Sequence, residues 1–214
     1  MTTDYDRLRC DELASISEFC HTLEPHQWDT PSLCEGWRVR DVIGHMSAGY
    51  TTPMPEMVAK LARYRFNVPK ASKAESIAFA SSRTPAELLA VFDSIVHDKV
   101  RKGISRVIKP TEGLLDHLVH HQDIRRPLGQ WRQVPEERLV AALRVAPTLA
   151  GFVGSKARAA NLRLEATDVD WRHGEGPLVR GAGEAILLAL TGRAVALDEL
   201  DGDGITVLKA RLAA

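Results

Sequence analysis

The sequence lacks a surplus of either charge: Lys and Arg together number 28, and so do Asp and Glu. Without a positive field, nothing steers the chain toward nucleic acid or an anionic membrane. Aromatic residues are only 6% of the chain, and they form no stacking platform for single-stranded nucleic acid. No apolar run approaches the roughly 20 residues that a membrane helix needs. The opening stretch, with Asp4, Asp6, Arg7 and Arg9, lacks the apolar core of a secretory signal. Together these absences predict a soluble, cytoplasmic protein with neither nucleic acid nor membrane as partner. Cysteine is scarce as well. Cys10, Cys20 and Cys34 are odd in number and show no CxxC spacing, which argues against a disulfide framework or zinc knuckle and predicts free, partly buried thiols. No pattern singles one of them out as a nucleophile.

What is present is ordinary for a globular chain: 44% hydrophobic and 26% charged residues. A length of 214 residues suits one generous domain, or a medium domain with a small appendage. Residues 1–155 read as helices separated by breakers. Leu8, Leu13, Ile16, Phe19 and Leu23 recur at helical spacing before Pro25. A second helix is expected from Val39 to about Tyr50, with Trp37 and Val42 at staple spacing and Asp41 in its first turn. Arg38 stands where a capping hydroxyl is usual. Met54–Arg65 reads as a further helical piece and residues 67–83 as irregular. Thr84, Pro85 and Glu87 open a helix to about Val100. Residues 110–126 and 136–145 supply two more.

Past residue 155 the period changes. Leu162, Leu164 and Ala166 alternate with Arg163, Glu165 and Thr167, the pattern of a half-buried strand. Leu178–Arg180 suggests a second strand, Glu184–Thr191 a compact apolar helix, and Thr206–Leu212 a strand or short helix. Asp201 and Asp203, each followed by Gly, lack the remaining ligands of a calcium loop and read as a turn. The expected architecture is a mainly α chain: a helical bundle over residues 1–155 and a small α+β domain over 156–214.

The histidines carry the chemistry. His117, His120 and His121 share one helix, where residues four apart share a face. Asp116 thus lies with His120, and Asp123 follows one turn later; His117 and His121 make a competing pair. Two ligands a turn apart, completed by a third from a facing helix, can hold a metal and leave a position open. Asp123 can orient His120 through its second ring nitrogen. Against this, Leu114, Leu115, Leu118 and Val119 form an apolar stripe roughly opposite His120. The helix must be covered on both sides, or His120 is exposed and ligates nothing.

Two stretches resemble the DinB-like, mycothiol-dependent maleylpyruvate isomerase family. Trp37, Val39, Asp41, Val42 and His45, after the Pro31 loop, resemble its W-x-V-x-D-V-x-x-H helix. Asp116, His120 and Asp123 are similar to its second signature. The tail from Leu162 through Arg180 and Arg193 is similar to its small sterol-carrier-like C-terminal domain. The resemblance implies a DinB-like four-helix bundle with His45, Asp116 and His120 as metal ligands, although the family usually has Glu at the acidic position. It further implies zinc first among divalent metals (nickel, iron or manganese also suit such ligands), mycothiol as thiol cosubstrate and a small electrophile as substrate. The activity implied is that of an isomerase or S-transferase.

Arg193, then Arg180, are the candidates for binding a substrate carboxylate. Two other readings stay open. One is a non-catalytic metal- or ligand-binding protein; the other is a metal-dependent hydrolase with Asp123 or His117 as base. Whether Asp116 or His117 completes the ligand set, and the oligomeric state, are left open.

Overall fold

The computed structural model describes residues 3–97, 102–150 and 154–213. The chain falls into two compact units, Asp6–Trp131 and Arg132–Ala214, the latter with Met1–Tyr5. The change of periodicity near residue 155 and this division of contacts are different boundaries. Helix α7 (Glu136–Val145) follows the bundle in pattern, yet packs on α9 (Gly183–Leu190) of the second unit.

The first unit is a helical bundle built round α2 (Val39–Thr51), which contacts α4 (Val68–Ser81), α5 (Pro85–His97) and α6 (Pro110–Arg125). Its remaining helices are α1 (Tyr5–Cys20) and α3 (Met54–Arg63). Leu13, Ile16, Phe19, Val42, Ile43, Phe92 and Ile124 meet in one buried cluster with Trp28 and Trp37. Burying a side chain of this size stabilises by about 1.5–3 kcal/mol. The start of α2 replaces its missing capping hydroxyl: the Asp41 carboxylate accepts the Arg38 backbone N–H at 2.9 Å and the Arg38 Nε–H at 3.0 Å. At α5 the expected cap forms, with Thr84 Oγ1 accepting Glu87 N–H at 3.2 Å and Glu87 Oε2 accepting Thr84 N–H at 2.8 Å. The extension of this helix to Val100 lies outside the described residues.

Helix α4 corrects the expectation of an irregular segment over 67–83. Asn67 caps it by accepting Lys70 N–H at 3.0 Å, and its buried residues are the small ones, Ala71, Ser76 and Ala80. These small residues carry little hydrophobic signal, but they let two helices approach closely. A Cβ placed on Gly44 of α2 would lie 2.9 Å from Ala80 Cβ and 3.0 Å from the Ser76 carbonyl oxygen.

The second unit holds α7, α8 (Ser155–Ala159), α9, α10 (Ile205–Ala213) and a sheet of order β2-β1-β3-β4. Its strands are β1 (Arg163–Ala166), β2 (Arg172–His173), β3 (Leu178–Gly181) and β4 (Leu200–Asp201); β1 and β3 are parallel and the outer pairs antiparallel. Leu164 and Val179, paired in register, are both fully buried, as β1's alternation requires. Thr206–Leu212 resolves as part of helix α10. The Asp203 carboxylate accepts Leu178 N–H at 2.6 Å, so that segment serves as a turn. The mainly helical fold with a small sheet is the expected class. Among the described residues no helix is long and apolar enough to cross a membrane.

Candidate metal centre

Helix α6 is buried on nearly every side, and this resolves the tension between its apolar stripe and its histidines. Leu114, Leu115, Leu118 and Val119 enter the core. His120 retains only 11% side-chain exposure. Its cover comes from within the same unit. The Trp37 ring centroid lies 6.3 Å away, that of His45 on α2 lies 5.1 Å away edge-on, and Cys34 of the loop before α2 reaches it with Sγ.

His45, Asp116 and His120 converge. Each offers one ligand atom, and these atoms all lie within 4.8 Å of one another. His120 Nε2 faces Asp116 Oδ1 at 3.4 Å, while its Nδ1–H donates to Asp123 Oδ2 at 2.9 Å. His45 is held from α4, where the hydroxyls of Ser72 and Ser76 both sit 3.3 Å from Nδ1. Neither serine was anticipated, because the segment that carries them did not read as a helix.

The electrostatics divide the two rings. Burial, reinforced by the charge on His120, lowers the His45 pKa to about 4, so His45 is neutral at physiological pH. Burial also disfavours charge on His120, but Asp116 and the bond to Asp123 outweigh it and raise that pKa well above the ordinary value. The surroundings of Asp116 resist its ionisation too. His120, by charge and hydrogen bond, reverses this and holds the carboxyl below its usual range. Asp116 is the open side of the group, with 46% of its side chain exposed.

The competing pair points elsewhere. His121 is fully buried and bonds Glu12 on α1 at 2.7 Å. His117, 3% exposed, lies against the Tyr50 ring. Burial lowers the His117 pKa to about 4. Among the described residues only two groups of donors converge, and neither includes His117 or His121. The second group is Cys34, His120 and Asp123. Cys34 Sγ–H donates to Asp123 Oδ2 at 3.1 Å and lies 3.8 Å from His120 Nδ1. Nothing in the cysteine spacing pointed to this residue.

The arginine candidates belong to the second unit. Arg193 donates to the Thr191 carbonyl at 2.7 Å, and Arg180 is exposed on β3 in register with Glu165 and Asp201.

Residues 10–102 match the family model of the mycothiol maleylpyruvate isomerase N-terminal domain. Through that segment, which is less than half of the chain, the protein resembles this family. The matched residues include Cys34, Trp37 and His45 but end before α6, so Asp116 and His120 join the group on geometry. Two solved structures share the fold: mycothiol-dependent maleylpyruvate isomerase and its histidine-to-alanine mutant. Each is 16% identical, with TM-scores of 0.61 and 0.62, over 95% of this chain and 96% of theirs. A search of the curated proteins returned no match.

Proposed function

We propose that this chain is a member of the mycothiol maleylpyruvate isomerase family and acts as a thiol-dependent isomerase or S-transferase. In this reading it acts on a small electrophile at a divalent-metal site formed by His45, Asp116 and His120. The observation that carries this reading is the convergence of those three ligand atoms within 4.8 Å. Two imidazole nitrogens and one carboxylate suit zinc, and also iron, nickel or manganese, and three protein ligands leave room for an exogenous one. When bound, such a metal would lower the pKa of a coordinated thiol so that the thiolate is available near neutral pH.

The chain's own residues prepare that role. His45, kept neutral by burial, keeps a lone pair for ligation. With Ser72 and Ser76 at Nδ1, Nε2 is its free ligating atom. Asp123 accepts the Nδ1 proton of His120 and fixes the ring so that Nε2 faces Asp116, the orienting bond that metal-bound histidines commonly have. The buried indole of Trp37, 5.1 Å from His45 by ring centroids, closes the protein side against water. Exposed Asp116 marks the side from which a thiol and an electrophile enter. For an isomerisation the thiolate sulfur adds to an activated carbon–carbon double bond, the resulting single bond rotates, and the thiolate leaves unchanged. Arg193 and Arg180 remain proposals for holding a substrate carboxylate.

The hydrolase alternative loses its bases: His117 is buried against Tyr50, and Asp123 is fully buried on His120. The test is elemental analysis of untagged protein beside His120→Ala, followed by turnover of maleylpyruvate with and without mycothiol. Near-stoichiometric metal in the parent, its loss in the variant and thiol-dependent turnover support the reading. Equal metal in both proteins sinks it, and turnover without thiol favours the hydrolase.

A further inference from the structure

His120 presents its two ring nitrogens to two different donor groups. Nε2 faces Asp116, within the group that includes His45; Nδ1 faces Asp123 at 2.9 Å and Cys34 Sγ at 3.8 Å. The sulfur and the Asp123 carboxylate are themselves 3.1 Å apart, and the donor atoms of this second trio lie within 4.8 Å of one another. The backbone fixes this arrangement. Leu33 N–H donates to the Asp123 carbonyl at 3.0 Å, which ties the loop to α6. Ser32 Oγ accepts Cys34 N–H at 3.2 Å and donates to the Trp37 carbonyl at 2.9 Å, which holds the turn that carries the thiol. Cys34 is half-buried, so the sulfur is positioned by the protein and still reachable by an ion.

We propose that Cys34, His120 through Nδ1, and Asp123 form a second metal-binding set, selective for thiophilic cations and competing with the first set for His120. One sulfur, one nitrogen and one oxygen donor make this set softer than the first, which has two nitrogens and an oxygen, and thiolate ligands favour zinc or cadmium over magnesium or calcium. On binding, the Cys34 S–H bond breaks, a metal–sulfur bond forms in its place, and the thiol proton leaves to solvent with any proton on Nδ1. A neutral imidazole has one unprotonated nitrogen. Ligation through Nδ1 therefore puts the remaining proton on Nε2, where it points at Asp116 and withdraws His120 from the first set. The two sets are alternatives rather than neighbours, and a soft cation in excess acts as an antagonist of the first. The second set does not require that the first hold a metal.

Cadmium(II) alone is the probe, because a cadmium–thiolate bond has an ultraviolet charge-transfer band that nitrogen and oxygen ligands lack. The protein is stripped with a chelator and carries Cys10→Ser to remove the exposed thiol; Cys20 is buried away from solvent. The band is expected to grow and saturate on titration. Cys34→Ser should abolish it while the protein still binds cadmium through the first set. His45→Ala, which breaks only the first set, should keep the band and bring it up at lower cadmium. Asp123→Asn, close in shape to the parent, should raise the cadmium needed for half the band by about tenfold or more, the scale set by loss of one ligand or its orienting bond. Absence of the band in the parent overturns the proposal, and so does a band that survives Cys34→Ser, ignores Asp123→Asn or vanishes with His45→Ala. Failure of the functional reading looks different: His45→Ala would leave metal content unchanged whatever the band does.

Discussion

His120 and His121 are neighbours in sequence, on one helix, and the protein uses them in opposite ways. His120 sits at a polar face where two carboxylates and another imidazole converge, and it keeps 11% of its side chain exposed. His121, turned about 100° round the helix, is fully buried and bonded to Glu12, also fully buried, with Phe19 beside it. The first environment gathers more donors than a hydrogen-bonded histidine needs and leaves one side open. The second is sealed, with Glu12 at one ring nitrogen of His121 and Arg125 Nη1 3.5 Å from the other. Role is set by what each ring meets across the bundle, and the HHQD motif alone does not distinguish them.

The sharpest way to break this comparison is to truncate each ring. His121→Ala leaves Glu12 buried without its imidazole partner, and loss of one member of a buried pair typically costs about 3–5 kcal/mol. Urea unfolding should show that loss while metal content stays that of the parent. His120→Ala should abolish near-stoichiometric metal, with a smaller loss of stability than His121→Ala, because fully buried Asp123 loses the imidazole but keeps the Cys34 thiol as a donor. If His121→Ala loses the metal and folds normally, the two assignments are exchanged.

The third histidine sharpens the comparison through pH. The His117 pKa falls from 6.5 to about 4 because burial disfavours its charged form. As pH drops below about 6.5 the unfolded chain takes up a proton there and the native state does not. Stability is therefore full above that pH and declines toward pH 4, by about 3 kcal/mol for this one group. His117→Asn should flatten that part of the acid limb relative to the parent, compared by urea unfolding at pH 7 and pH 4.5. An identical limb in both proteins would show that His117 is solvated. His45 contributes in the same direction to both proteins, so the difference isolates His117.

Asp123→Asn weakens the orienting bond on His120 without deleting a first-set ligand. Metal affinity at the His45, Asp116 and His120 site should fall about 10- to 100-fold, read by competition with a chelating dye. An unchanged affinity would make Asp123 a packing residue only.

Much of this arrangement was legible in the sequence because it follows helical period. Asp116, His120 and Asp123 share a face by spacing alone, and Thr84 with Glu87 announces the cap of α5. The sheet was half legible. Strand β1 has the length to show alternation, but β2 and β4 are two residues each, too short for any period. Cys34 was hidden because its meaning lies in the turn that brings Leu33 to the Asp123 carbonyl, a contact between residues 90 apart. Helix α4 was hidden because its buried face is Ala and Ser, which hydrophobic patterning does not register. The capping Asn67 and Pro69 in the first turn were its local signs.

That hidden helix supports the smallest of the expected effects. Ser72 and Ser76 both stand 3.3 Å from His45 Nδ1, placed there because Gly44 lets α4 approach α2. One hydroxyl bonds the ring nitrogen at a time, so Ser76→Ala leaves Ser72 to take over, and metal affinity should fall only about twofold to fivefold, at or below the worth of one hydrogen bond. The double variant Ser72→Ala with Ser76→Ala removes both and should lose more than the sum of the singles, since each single is rescued by the other. Additive losses would mean that the hydroxyls act separately, and no loss in the double would mean that burial alone orients His45.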